Sequence, residues 1–374
     1  MNSNTGLLHI NLQAVADNWR TLLGQCRAQV AAVVKADAYG LGAEQVAPAL
    51  YGAGCRHFFV ATKSEGLALR QFIPGDARCF VLGGAARGDE EECLRGQLTP
   101  VLSSLAAISD WLDAVGSAPC AIKFDTGMTR LGLPLSEDNL SDYRDAIISA
   151  KPVLMMSHLA CADEPDHPQN AQQLQRFDRV REQLGADLPA TSWSLANSSG
   201  IFLGADYHAD MVRPGAALYG FNPQLDQPSP VQPVVSLDLP VLQLRRVGVD
   251  TTVGYGATTI APAGSVLAVA AGGYADGVHR LLGNAGYGYC MGQQVPVLGR
   301  VSMDTAVFDV STVAGIDQLL QAGRWRSMTI AVINATVDVT AISQRNGSLG
   351  YEVLTSLGSG RYQRRYQQAS KHER

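Results

Sequence analysis

Eight short apolar runs recur between residues 31 and 213: 31–35 (AAVVK), 57–62 (HFFVAT), 78–84 (RCFVLGG), 99–104 (TPVLSS), 119–127 (PCAIKFDTG), 152–158 (PVLMMSH), 191–198 (TSWSLANS) and 210–213 (DMVR). Most are followed by a stretch with apolar residues at helical spacing, such as 64–71 (SEGLALRQ) and 104–115 (SLAAISDWLDAV). Strands that are apolar throughout and alternate with helices belong to a parallel sheet covered on both faces. Eight such units read as a (β/α)8 TIM-type barrel, with a doubly wound open sheet as the competing topology. The run ends favour the barrel. Lys35, Thr62, Ser103, Lys123 with Asp125, His158, Asn197 with Ser198, and Arg213 lie there, and a barrel gathers its C-terminal strand ends at one mouth.

Pro223, Pro228, Pro230, Pro233 and Pro240 then crowd a short stretch that can continue neither helix nor sheet, and they mark a domain boundary. Beyond it the pattern becomes Val-rich and alternating, as in VVSLDLPVLQL and QVPVLGRVSMDTAVFDV. That texture reads as mostly antiparallel β structure. The expected organisation is an α/β barrel over residues 13–230 and a C-terminal mostly-β domain over 231–374. Residues 7–12 (LLHINL) are strand-like and are expected to pair into the second domain.

Hydrophobic residues make up 46% of the chain, which supplies a sizeable core and excludes a disordered protein. Net charge is −5, and the only basic cluster is C-terminal: Arg361, Arg364, Arg365, Lys371 and Arg374. It reads as a solvated tail, because no basic stripe elsewhere would track a nucleic acid. The seven cysteines show no metal-ligand or CxxC spacing, as expected of reduced thiols. The opening MNSNTG has neither the basic start nor the apolar core of a secretory leader, and no run reaches the length of a membrane span. A soluble, cytoplasmic protein is expected.

Lys35 ends the first run, where burial disfavours the ammonium form and supplies a neutral amine able to condense with an aldehyde. The loops after runs seven and eight are 196–200 (ANSSG) and 213–217 (RPGAA). Loops in those places bind phosphate in many barrels. A lysine at the end of strand one and a phosphate cradle across the mouth are the two anchors of pyridoxal 5′-phosphate. Arg213 then faces the pyridine ring. An arginine keeps its proton, so it leaves the ring nitrogen unprotonated, which suits return of a proton to Cα over transamination. Racemisation needs a proton-transfer group on each face. Lys35 serves one, and Tyr255, in 253–258 (VGYGAT), is the candidate for the other, with His158 its candidate hydrogen-bond partner.

Residues 33–42 (VVKADAYGLG), 123–132 (KFDTGMTRLG), 211–220 (MVRPGAALYG), 254–258 (GYGAT), 272–277 (GGYADG), 299–305 (GRVSMDT) and 350–358 (GYEVLTSLG) resemble the motifs of bacterial alanine racemases, in their usual order. The resemblance spans nearly the whole chain. It implies a head-to-tail homodimer, each barrel's active site being completed by the partner's β domain. It also implies Lys35 as the Schiff-base lysine and base for the D-isomer, and Tyr255 of the partner subunit as base for the L-isomer. Tyr39, Ser198, Gly215 and Ala216 would hold the phosphate, Arg213 would face the ring nitrogen, and His158 would link Arg213 to Tyr255. Arg130 and the backbone at Met303 would bind the substrate carboxylate. Lys123 matches a position carbamylated in some members, Tyr274 would narrow the entry channel, and Asp304 is a supporting residue.

Three places depart from the family pattern. Ser302 stands where many members have cysteine. Small residues at 359–360 lie near the C-terminal phosphate-contacting tyrosine of some members, with Tyr362 the nearest phenol. The sequence 277–280 (GVHR) replaces the commoner GYPR. The implied activity is interconversion of L- and D-alanine for peptidoglycan synthesis. The rivals are a broader-specificity racemase acting on serine or basic amino acids, a decarboxylase of the same barrel class, and a pyridoxal-phosphate-binding protein without turnover. Acidic residues face the ring nitrogen in the decarboxylases, unlike Arg213, and the non-catalytic proteins lack a β domain.

Overall fold

A computed structural model describes residues 4–135, 140–224, 227–334, 339–346 and 349–368. By its internal contacts the chain divides into two units, one made of residues 13–38 and 42–232, the other of 1–12, 39–41 and 233–374.

The first unit is a parallel barrel, and each of the eight apolar runs contributes a strand to it. The chain's first strand, β1 (Leu7–Asn11), belongs to the other unit. The barrel opens with β2 (Gln29–Val30) and β3 (Ala32–Val33), one line of chain interrupted at Ala31. Then follow β4 (His57–Val60), β5 (Arg78–Val81), β6 (Leu98–Leu102), β7 (Ala121–Asp125), a short extra strand β8 (Leu133–Pro134), β9 (Leu154–Met156), β10 (Ser192–Ser194) and β11 (Met211–Val212). Parallel pairing runs β3-β4-β5-β6-β7-β9-β10. Asp210 N and Arg213 N donate to the carbonyls of Trp193 and Ala196, while Gln29 N, Ala31 N and Val33 N donate to Asp210, Val212 and Pro214. Those bonds close the sheet and leave no open edge. The interruption at Ala31 lets the first strand serve β11 on one side and β4 on the other.

Local chemistry sets the helices. Thr62 Oγ1 accepts from Glu65 N and Glu65 reaches back to Thr62 N, a reciprocal cap that starts the helix Lys63–Leu69. Ser104 caps Leu105–Val115 through Ala107 N. Pro168 opens the helix Pro168–Leu184, whose buried side chains Asn170, Gln173, Phe177, Val180 and Leu184 recur at helical spacing. After β10 and β11 the α-helices give way to 3₁₀ turns at Ser199–Phe202, Ala205–Tyr207 and Ala216–Tyr219. The core is apolar and aromatic: Phe58, Phe59, Phe80, Phe124 and Trp111 are buried, with Phe59 stacked on Phe80 at 4.5 Å.

The second unit is a mostly antiparallel sheet around β12 (Val235–Arg246), with buried and half-buried positions alternating along most of its length. It continues through β13 (Thr251–Val253), β14 (Thr259–Ala261), β15 (Val266–Ala271), β16 (Tyr287–Cys290), β17 (Gln293–Pro296), β18 (Thr305–Asp309), β19 (Thr329–Ile333) and β20 (Gln363–Gln367). β1 pairs antiparallel with β12 and parallel with β20.

Two readings of the sequence are corrected here. Pro240 does not punctuate a linker but lies inside β12, opposite Thr329 and beside a register shift at Val241–Gln243. Arg361, Arg364 and Arg365 are not a solvated tail either. Arg364 and Arg365 stand in β20, and Arg361 is ion-paired to Asp276 and Asp304. Lys371 and Arg374 lie outside the described residues. The seven cysteines are free thiols, five of them buried.

Candidate active site

Lys35 leaves the end of β3 half-buried, and the chain then turns left-handed for four residues. Ala36, Asp37, Ala38 and Tyr39 have φ of 52, 54, 53 and 56°. For L-residues this conformation costs on the order of 1–2 kcal/mol each. Small side chains and local bonds make it tolerable. Ala38 N donates to Val34 O, Gly42 N to Asp37 O, and Ala43 N to the Asp37 carboxylate at 2.7 Å. Burial lowers the Lys35 ammonium pKa and Arg130 lowers it further, against an opposing pull from Glu65.

The strand ends bring Lys35, Lys123, Arg130, His158 and Arg213 into one electrostatic cluster. Lys123, on β7, is almost fully buried, and burial together with Arg130, Arg213 and Lys35 pushes its amine down to about 8. His158 is held well below the usual imidazole range, first by burial and then by Arg213, Lys123, Arg130 and Lys35, so it is neutral at physiological pH. The carboxylate at the end of β7 offsets little of this charge. Asp125 Oδ1 accepts from the amides of Gly127, Met128 and Thr129 at 2.9, 2.8 and 3.1 Å, shaping the loop that carries Arg130. Those amides outweigh burial and keep Asp125 below the ordinary carboxyl range.

Arg213 is buried at 4% exposure with no carboxylate partner among the described residues. Burial pulls it down to about 9, which leaves it a cation at neutral pH. Nη1 donates to Ser194 Oγ, and Nη2 to the carbonyls of Ser157 and Leu195. No hydrogen bond among the described residues uses Nε. Behind these acceptors lies a buried polar chain that the sequence did not reveal. Ser157 Oγ bonds Thr126 Oγ1 and Phe124 O, while Gln173, fully buried, bonds Thr126 Oγ1 and His158 O and accepts from Ala160 N. Gln173 lies in the glutamine-rich run QNAQQLQRF, and only its place in the buried stripe of Pro168–Leu184 separates it from its exposed neighbours.

Ser198 is buried and accepts from the amides of Gly215 and Ala217 at 3.0 and 3.2 Å. With its oxygen occupied by two donors, the hydroxyl proton is left to give to an anion. This donor set suits pyridoxal 5′-phosphate: an amine with lowered proton affinity, a hydroxyl and backbone turns for a phosphate, and a guanidinium with a spare N–H for a ring nitrogen. Thr62 and Ser104, by contrast, are spent on helix caps. Asn197 Oδ1 accepts from Gly200 N, another local cap.

The other nominated residues belong to the second unit. Tyr39 is in its 39–41 segment, and burial raises the phenol's pKa, with Tyr351 adding to the effect. Tyr255 sits in the turn between β13 and β14 and is 69% exposed. Met303 and Tyr274 are exposed as well. Their segments are zipped together: Gly272 N donates to Asp304 O, Tyr274 N to Ser302 O and Ala275 N to Met303 O. Gly273 is obligatory there, since a Cβ would fall 2.3 Å from the carbonyl oxygens of both Ser302 and Met303. The backbone of Gly254 rests on that of Arg300, so three motif loops share one face of this unit. The Tyr362 hydroxyl is buried without a hydrogen-bond partner among the described residues, its ring close against Gly6 and Gly360 within the same unit.

A parallel barrel with a lysine at the end of its first strand and hydroxyl- and amide-bearing turns after its last two, followed by a β-rich unit, suits a pyridoxal-phosphate enzyme. The alanine racemase N-terminal domain model matches residues 10–223, and the C-terminal domain model matches 234–366. The alanine racemase of Rhodospirillum rubrum is 47% identical over 97% of this chain and 96% of its own length. The biosynthetic and catabolic alanine racemases of Agrobacterium fabrum are 44% and 43% identical, over 96% and 97% of this chain and 93% and 92% of their own. Among solved structures, the alanine racemase of Bartonella henselae with covalently bound pyridoxal phosphate superposes with a TM-score of 0.88. It is 36% identical and covers 97% of this chain and all of its own. The biosynthetic alanine racemase of Pseudomonas aeruginosa gives 0.86 at 30% identity, over 98% of this chain and all of its own. The chain belongs to the alanine racemase family.

Proposed function

We propose that this chain interconverts L- and D-alanine as a pyridoxal 5′-phosphate-dependent racemase, working as a cytoplasmic homodimer that supplies D-alanine for peptidoglycan. The observation that carries this reading is the charge of the barrel mouth. Lys35, Lys123, Arg130 and Arg213 surround a neutral histidine, and the Asp125 carboxylate is occupied by backbone amides. Such a site calls for anions, and a phosphate-bearing aldehyde and an amino-acid carboxylate match its amine and its guanidinium groups.

When bound, the cofactor supplies an electron-withdrawing ring that acidifies the Cα–H of the amino acid. Ser198, the turn at Gly215 and Ala216, and Tyr39 hold its phosphate. Arg213 would donate to the ring nitrogen and keep it unprotonated, which suits return of a proton to Cα. Lys35 would anchor the cofactor, and its amine would hold or return the Cα proton on the D face. Tyr255 of the partner subunit does the same on the L face, with His158 linking it to Arg213. Arg130 and the backbone at Met303 of the partner subunit bind the substrate carboxylate. Lys123, with an amine lowered to about 8, is basic enough to capture carbon dioxide yet partly neutral near physiological pH, and its carbamate orients Arg130. Tyr274 narrows the entry and Asp304 supports the Met303 loop. The exposure of Tyr255, Met303 and Tyr274 on one face of the second unit supports their cover by a second copy.

The test loads the protein with pyridoxal phosphate and follows product chirality across alanine, serine and basic amino acids. Conversion of alanine in both directions, with borohydride-reduced cofactor trapped on Lys35, is the expected result. Turnover without inversion at Cα overturns the reading.

A further inference from the structure

The left-handed turn after Lys35 needs a brace from outside itself, because each of its residues is held in a disfavoured conformation. The hydrogen bonds from Ala38, Gly42 and Ala43 are internal to the loop. A further bond reaches another element: Ala36 N donates to Glu65 Oε1 at 2.8 Å. The other oxygen of the same carboxylate, Oε2, accepts from Ala61 N at 2.6 Å and Thr62 N at 3.2 Å. Glu65 therefore ties the end of β3 to the end of β4, catching the amide immediately after Lys35.

We propose that Glu65 is a positioning residue that holds Lys35 in the geometry needed to capture the cofactor, beyond its part in the helix cap. The donor arithmetic calls for a carboxylate. Three N–H groups converge on two oxygens, and only an acceptor-only group satisfies them all. A glutamine keeps one side and turns an NH₂ toward the donors on the other. The negative charge has a second effect, opposing the lowering of Lys35 by burial and Arg130.

The inference rests on Lys35 as the residue that captures pyridoxal phosphate, so the experiment uses that aldehyde on cofactor-stripped full-length protein. Capture is followed by absorbance and by mass mapping of the borohydride-trapped adduct. Amide hydrogen exchange over residues 34–41 is measured on the same protein. Thr62→Ala weakens the cap but leaves the Ala36 contact. Glu65→Gln is expected to slow capture at least tenfold and to speed exchange in that segment, whereas Thr62→Ala, at a similar melting temperature, stays within twofold of the unmodified chain. Adding Ala36→Gly to Glu65→Gln is expected to recover part of the capture rate, since glycine adopts positive φ readily, and a cap defect would not respond. Should Glu65→Gln fail to fold, Glu65→Asp carries the same expectation, because the shorter side chain retreats from Ala36. Capture by Glu65→Gln or Glu65→Asp equal to that of Thr62→Ala, or unchanged exchange over 34–41, overturns the proposal. Absence of any adduct on Lys35 in the unmodified chain instead overturns the functional reading beneath it.

Discussion

Arg361 grips Asp276 through two parallel bonds, Nε to Oδ1 at 2.7 Å and Nη2 to Oδ2 at 2.9 Å, while Nη2 also reaches Asp304 Oδ1 at 2.6 Å. Asp276 is buried in the loop that carries Tyr274, and Asp304 follows Met303. An arginine just before the last strand thus fastens together the two loops proposed to enclose substrate.

Burial raises the Asp276 pKa, but the Arg361 side chain and the amides of Arg361 and Gly273 outweigh it, so the folded value lies below 3.8. Stability from this pair is therefore present above the unfolded value and lost as pH falls through the folded one. Urea unfolding of Asp276→Asn is expected to show a flatter pH dependence below about pH 4 than the unmodified chain. Arg361→Met leaves the buried carboxylate with only the amides of Gly273 and residue 361, and a lower urea midpoint at pH 7 is expected.

Lys123 shifts stability in the same direction with pH, but as a buried charge whose cost is relieved at high pH. Its folded amine titrates at about 8 against about 10.4 in the unfolded chain. Between those values the unfolded chain binds more protons, so stability rises with pH across that window. In cofactor-free protein kept free of carbon dioxide, Lys123→Met is expected to be more stable at pH 7, by up to on the order of 3 kcal/mol, and to lack the alkaline rise. Bicarbonate is expected to add the mass of one carbon dioxide to Lys123 and to lower KM for alanine.

Three acceptors on three residues hold the Arg213 guanidinium, an arrangement that a lysine cannot reproduce. Arg213→Lys keeps the positive charge but loses the fork. Its kcat is expected to fall by on the order of 10²-fold or more, with cofactor still bound by absorbance.

Tyr255→Phe separates the two faces of the reaction. Racemisation is expected to fall on the order of 10²-fold or more, while exchange of the D-alanine Cα proton with deuterated solvent persists through Lys35. Exchange from L-alanine is expected to stall. Equal loss of both exchanges, read by proton NMR, counts against assigning one group to each face.

Sharing of the site between subunits is tested by mixing two inactive variants, Lys35→Ala and Tyr255→Phe, through unfolding and refolding together. About half of random dimers are mixed and carry one intact site of two, so about a quarter of full activity is expected to return. No recovery despite verified mixed dimers places both groups on one chain.

Much of the barrel was legible because a strand buried on both faces must be apolar throughout, and that leaves a mark at each of the eight runs. The strand-end places of Lys35, His158 and Arg213 were legible for a related reason, since a polar residue that ends an apolar strand has few places to go. The chain after β10 and β11 was less legible: 3₁₀ turns replace the usual helices, and short polar loops carry no periodicity to tell one from the other. Gln173 looked like its neighbours. Glu65 forms half of a helix cap, and nothing local disclosed its second contact with Ala36. Arg361, Arg364 and Arg365 looked like solvated charge because partners that hold them are far away in sequence, at Asp276 and in β1.

Local sequence, then, determined the eight barrel strands, the capped helices between them and the chemical types at the strand ends, because periodicity, caps and side-chain type are properties of the residues themselves and their neighbours along the chain. The tertiary structure decided which of those groups gather, how far each is driven from its ordinary charge state, and the left-handed path after Lys35. Burial and Coulomb interaction act between residues more than a hundred positions apart, as between Lys35 and His158. A disfavoured backbone conformation, likewise, survives only where distant partners such as Glu65 hold it.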